Sequence, residues 1–171
     1  MASIIGVEQL QHTNGTTAAT IAADGKFTAP NLVMPTGSVV QVQSFNLVNI
    51  RLATSSSSFT ATQLTVNITP ASSSNKIYIS AAGSANNESS GRTLYYTLYR
   101  DSTNLGGTSG LGQIYSSGAR MHGTLAISIL DSPATTSQVT YTVYVRSLGN
   151  TVEFPASTAE IVTITAMEIQ A

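Results

Sequence analysis

Cysteine and tryptophan are both absent from this 171-residue chain. Without sulfur pairs there is neither a disulfide framework nor a thiolate metal site. Charge is scarce as well: seven Lys and Arg stand against eight Asp and Glu, the formal net charge is −1, and only 9% of residues are charged, where an ordinary domain carries about a quarter. So few cations give no counterion-release drive toward nucleic acid and no pull toward anionic lipid, so a nucleic-acid partner is not expected. No apolar run approaches the roughly 20 residues of a membrane helix, so no membrane insertion is expected. The stretch from Met1 to Glu8 lacks a basic n-region and an apolar h-region, so a Sec leader is not expected; work outside a cell would follow release by lysis.

What remains is a neutral surface of Ser, Thr, Asn, Gln and Gly around Val, Ile and Tyr, the composition of packed β structure. Helical periodicity is nearly missing, while short alternating runs are broken by turn clusters, which predicts an antiparallel all-β sandwich or barrel. Residues 1–36 form one segment. Asn14-Gly15 and Asp24-Gly25 are hairpin turn signals, and the strands between and after them hold too few large apolar residues for a core. This short extended β segment is expected to lean on a partner surface as an attachment or stem. Residues 37–171 form the main domain. Strands are predicted at Val40 to Phe45, continuing or bulging toward Leu52, then at Phe59 to Ile68, Lys76 to Ala81, Thr93 to Arg100, Arg120 to Leu130, Val139 to Val145, Thr151 to Phe154 and Ile161 to Ile169. About eight strands is the count of a jelly roll, with an immunoglobulin-like sandwich as the neighbouring alternative. The last strand is expected to pair centrally. Ser84 to Gly91 and the Gly- and Ser-rich Leu105 to Gly118 are expected as exposed loops, the second of them flexible.

Catalytic motifs are missing. There are two histidines, His12 and His122, and no H-E-x-x-H, G-x-S-x-G, P-loop or dinucleotide fingerprint. Two His with scattered carboxylates do not make a zinc site, and Asp101 and Asp131 show no calcium-loop spacing, so no metal and no cofactor is expected. Arg100-Asp101 reads as a turn-stabilising pair. A glycan-cleaving enzyme would need two carboxylates about 5–9 Å apart, and the eight acidic residues are dispersed in sequence. The composition therefore points to a structural and binding protein, not an enzyme. Tyr78, Tyr95, Tyr99 and Tyr144 fall opposite the apolar strand faces, as either an interface or ordinary cross-strand packing. Tyr95 and Tyr99, with Leu111, Gln113, Ile114 and Tyr115 from the glycine-rich stretch, are the candidates for receptor or subunit contact, on the ground that loops on a rigid sandwich carry function.

Five segments, in order, resemble the terminal domains of tail-fibre-like virion proteins of tailed phages, especially phages of marine bacteria and cyanobacteria. They run from Gly37 to Gln43, Ile68 to Ile77, Arg100 to Thr103, Asp131 to Ser137 and Thr163 to Ile169. Asn14 to Ile21 and Asp24 to Thr28 resemble the short β repeats that precede such domains. The resemblance implies a homotrimeric virion appendage with a jelly-roll-like head and no catalytic residues. The first hypothesis is then a virion protein that docks to other virion proteins through the N-terminal segment and binds a host-surface glycan, with the capsid decoration protein as its structural rival. One departure stands: the chain has almost no shaft. A compact fibre tip, an adaptor or a capsid decoration protein fits that length, and a lectin or a polysaccharide depolymerase is the rival from another class.

Overall fold

The computed structural model describes residues 8–29, 34–88 and 91–171. The chain is all-β and antiparallel, with no helix among the described residues. It divides into two compact units, Met1–Pro35 and Thr36–Ala171.

The first unit is a three-stranded meander: β1 (Gln9–Gln11), β2 (Thr17–Ile21) and β3 (Phe27–Thr28). Its turns form where Asn and Asp precede Gly. Gly15 and Gly25 have φ of 84° and 82°, the left-handed region that glycine enters without a Cβ penalty. The Asn14 and Asp24 side chains each accept a backbone N–H two residues on, both at 3.0 Å. Ala19 is buried, whereas Leu10, Ile21 and Phe27 are exposed. The meander closes its backbone hydrogen bonds without a core.

The second unit is a β-sandwich. Its strands are β4 (Val39–Leu47), β5 (Leu52–Thr54), β6 (Thr60–Ile68), β7 (Lys76–Asn87), β8 (Arg92–Arg100), β9 (Thr103–Asn104), β10 (Gly112–Ser116), β11 (Met121–Asp131), β12 (Val139–Ser147), β13 (Val152–Phe154) and β14 (Val162–Ile169). One sheet runs β10-β8-β12-β6, with β9 on β8; the other runs β4-β14-β7-β13-β5, with β11 on β7. Period-two alternation explains the core. Leu64, Val66 and Ile68 of β6 meet Ile77 and Ile79 of β7, and Leu94 and Leu98 of β8 join Tyr141, Val143 and Val145 of β12. The order is that of a two-sheet antiparallel sandwich.

Several expectations need correction. The second unit holds eleven strands among the described residues, not about eight: β5 and β9 are only three and two residues long, and β10 lies within the glycine-rich stretch expected to be a loop, whereas the short strand at Thr151 to Phe154 is present as β13. The first strand stops at Leu47, and Asn49, at φ 57°, turns the chain toward β5. Ser84 to Asn87 is the end of β7 rather than a loop, paired with β11 up to Met121 opposite Asn87. Ala85, Asn86 and Asn87 are buried. Their polarity misled because their amide nitrogens find partners indoors: Asn86 Nδ2 donates to Glu153 Oε2 at 2.9 Å and Asn87 Nδ2 to the Arg92 carbonyl at 2.7 Å, although Asn86 Oδ1 is buried without a hydrogen bond. Residues 89 and 90 lie outside the described residues. The terminal strand β14 does sit between β4 and β7, as expected of a last strand that ties the chain end down.

Candidate functional site

The outer face of the β10-β8-β12-β6 sheet carries the aromatic residues. On β8 the inward side chains are Leu94, Tyr96 and Leu98, so Tyr95 and Tyr99 point outward. Register sets Arg146 of β12 and Gln113 of β10 opposite Tyr95 on either side. The Arg146 guanidinium lies 4.5 Å from the Tyr95 ring centroid and 5.0 Å from that of Phe59, a double cation–π contact. It also donates to the Ser57 carbonyl at 3.3 Å and the Thr108 carbonyl at 3.1 Å. One side chain thus ties two loops to the sheet.

The stretch expected to be a flexible loop is instead packed against β8 and ends in strand β10. Leu105 N donates to Leu98 O at 2.9 Å and Leu111 N to Tyr96 O at 2.8 Å. Asn104 fastens the bend: its Oδ1 accepts Gly106 N at 3.0 Å and the Thr97 hydroxyl at 2.6 Å, and its Nδ2 donates to Gly107 O at 2.7 Å. Glycine is required by space. A Cβ on Gly106 would strike Thr97, one on Gly110 the Tyr96 carbonyl, and one on Gly112 the Tyr96 ring. The glycines record close approach to β8, not freedom.

Tyr95, Ser109, Gly110, Leu111, Gly112 and Gln113 line a groove of about 370 Å³. Three of the expected contact residues, Tyr95, Leu111 and Gln113, therefore come together. Tyr115, 55% exposed, follows Gln113 on the same face of β10. Tyr99 stacks on Tyr144 with centroids 4.0 Å apart at 26°, and meets Phe59 edge-on at 6.4 Å, so it is a packed part of the aromatic face. Ile114 is a correction. It is 6% exposed and belongs to the core, because strand alternation turns it inward between Gln113 and Tyr115. The other stretch expected as an exposed loop, Ser84 to Gly91, offers no such surface at Asn86 and Asn87, which are interior.

The carboxylates are held elsewhere. Arg100 pairs with Asp131, not Asp101: its Nη1 lies 2.8 Å from both Asp131 oxygens, and the Tyr141 hydroxyl donates to Oδ2 at 2.7 Å. Burial first, then the Asp131 hydrogen bond and charge, push the Tyr141 phenol far above its ordinary pKa, which keeps it a donor. Asp101 accepts Thr140 N at 3.0 Å. Glu153 is paired with Arg51 at 3.1 Å and Arg120 at 3.6 Å. Glu168 is fully buried; it accepts from Asn75 Nδ2 at 2.7 Å, Ala71 N at 2.8 Å and Gln41 Nε2. Among the described residues no group of three or more His, Asp or Glu converges as a metal site.

Sequence reasoning missed Arg146, Phe59 and Asn104. The signal for Arg146 lay in its own strand, where Thr142, Tyr144 and Arg146 share the outward parity; seeing it meet Tyr95 required the register. No family model matches the chain, and no curated protein matches its sequence.

Proposed function

We propose that this chain is a structural protein of a tailed-phage virion, a homotrimeric fibre-like appendage that works by binding. In this reading the N-terminal meander attaches to other virion proteins. A strand meander without a core gains its burial from a surface supplied by something else, which supports that role. The sandwich carries the groove at Tyr95 outward to a host-surface glycan.

The observation that carries the reading is the groove on a locked loop. Its volume of about 370 Å³ falls at the lower end of ligand sites, about 300–1,000 Å³. Tyr95 offers an aromatic surface for the C–H face of a sugar, and Gln113 and Ser109 offer donors and acceptors for hydroxyls. The loop is fixed by Asn104 and Arg146 before any ligand arrives, which lowers the ordering cost of binding. Among the described residues Glu88 and Glu153 are the carboxylates that come together, and both are held by the same Asn86 amide and Arg120 guanidinium; Asp101 and Asp131 are engaged by Thr140 and by Arg100 and Tyr141, which favours binding over cleavage.

The test is to purify particles and locate the chain in them by mass spectrometry and by imaging with a bound antibody fragment. Copies in threes on a projecting appendage support the reading. A regular lattice over the capsid would assign the chain to decoration instead, and absence from particles would end the virion reading.

A further inference from the structure

The opposite face of the sandwich is built differently. Register across β4, β14, β7 and β11 aligns three transverse rows on the outer side. The first is Val42, Met167, Tyr78 and Leu130; the second Ser44, Thr165, Ser80 and Ser128; the third Asn46, Thr163, Ala82 and Ala126. Contacts along the face confirm the shared side: Tyr78 Oη lies 2.7 Å from Ser128 Oγ, and the Thr163 hydroxyl donates to Asn46 Oδ1 at 2.8 Å. None of these twelve side chains is charged. Val42 and Leu130 are each 52% exposed.

Among the described residues two edges of the same sheet take no further strand: β4 pairs only with β14 and β11 only with β7. Edge strands are normally blunted by charge, proline or cover. β4 reads VVQVQSFNL, with neither charge nor proline over nine residues, and exposes Val39, Val42 and Phe45. β11 carries one carboxylate, Asp131, at its last position, where Arg100 already holds it.

We infer that three copies of this chain close around an axis parallel to these strands, with β4 of each copy beside β11 of the next and the uncharged rows facing the axis. The inference rests on the homotrimeric reading above and names its interface. Direction fits: successive strands alternate from β4 to β11, so rotation about an axis along them brings β11 of one copy antiparallel to β4 of its neighbour. Size fits as well. Four strands at about 4.8 Å make a wall about 19 Å wide, and three such walls stand about 5.5 Å from their axis, close to half of the ~10 Å at which sheets pack face to face. Two copies packed face to face would leave both edges unpaired, and four would hold the walls about 9.5 Å from the axis, too far for side chains to meet. Within the three rows no like charges meet at the axis; Lys76, on the same side one row beyond Tyr78, is exposed at the end of the face, and a contact of unlike edges that closes on itself gives a ring rather than a filament.

The test uses the full chain, which has no native thiol. Ser44→Cys and Ser128→Cys are introduced together. Within one chain they lie three strand spacings apart, about 14 Å, beyond the ~7 Å a disulfide spans, so only neighbouring copies can join them. Expected are a wild-type mass by light scattering of three times 17.8 kDa and a covalent trimer after oxidation. Ser80→Lys, at the middle of the face, is expected to yield monomers with an unchanged β circular-dichroism spectrum, while Gln63→Lys on the other sheet keeps the trimer. A wild-type mass of one or two chains, no covalent species above the monomer, or a trimer that survives Ser80→Lys would overturn the interface. These outcomes are separate from those of the functional reading, since a trimer absent from particles leaves the interface standing, and a particle-borne trimer that survives Ser80→Lys removes the interface alone.

Discussion

Arg146 and Tyr95 sit opposite each other on β12 and β8, with the guanidinium 4.5 Å from the ring centroid. Because the same guanidinium holds the carbonyls of Ser57 and Thr108, the contact fixes a ring of the groove and the loop above it together. Arg146→Ala should lower stability by about 1–2 kcal/mol, through lost stacking and lost packing of the aliphatic stem, and weaken binding at the groove. Arg146→Lys should recover little, since an ammonium cannot stack and bridge two loops at once. Chemical denaturation alongside ligand retention checks both; equal stability of wild type and Arg146→Ala would remove the staple.

The glycine-rich loop makes a sharper prediction about space. Gly112→Ala should cost about 1–3 kcal/mol, since its Cβ meets the Tyr96 ring. Gly118→Ala, where a Cβ meets nothing within 4 Å, should stay within about 0.5 kcal/mol. Thermal melts of the two variants decide it: equal, small effects would mean a loop as loose as its composition suggests.

How much of this was legible follows from what a pattern can carry. Leu94, Tyr96 and Leu98, or Val139 to Val145, announce their strands because one face is buried and the other wet. The terminal strand β14 was legible for the same reason. Asn86 and Asn87 were misread because polarity stands for exposure only when a side chain has no partner indoors. Gly106 to Gly112 were misread because glycine marks both flexibility and close approach, and only the position of Tyr96 separates them. Three of the six lining residues, Tyr95, Leu111 and Gln113, were candidates from the sequence; their union with one another and with Arg146 depended on strand register, which no single segment encodes. Ile114 failed on parity alone.

Glu168 ties the turn at 69–75 to β14, and its pH dependence follows. Burial pushes its pKa up, but hydrogen bonds from Gln41, Asn75 and the Ala71 and Ser72 backbone outweigh that, leaving it below the ordinary carboxylate value. A pKa lowered by folding contributes stability that is fully present above the unfolded value of about 4.3 and is lost as pH falls through the folded value. Glu168→Gln should therefore be less stable than wild type at pH 7, with the gap closing as pH falls below about 4. A gap independent of pH would contradict this.

Asp131 sits between Arg100 and Tyr141. Removing only the phenol, Tyr141→Phe, leaves the ion pair and should cost about 1–2 kcal/mol. Asp131→Ala leaves a partly buried guanidinium and a buried hydroxyl unpaired, and should cost about 3–5 kcal/mol. Urea midpoints measured at one pH give the order; a Tyr141→Phe loss as large as that of Asp131→Ala would show that the hydroxyl, not the ion pair, organises the cluster.

The central claim, a protein that works by binding a surface glycan at the Tyr95 groove, is tested most directly by an array of bacterial surface polysaccharides. Wild-type protein, Tyr95→Ala and Gln113→Ala would be compared after circular dichroism has shown the same fold. The account predicts saturable retention of the wild type on a subset of polysaccharides, at least tenfold weaker retention for Tyr95→Ala, an intermediate loss for Gln113→Ala, and no release of reducing sugar. Retention unaffected by both substitutions, or cleavage of the bound polysaccharide, would contradict it.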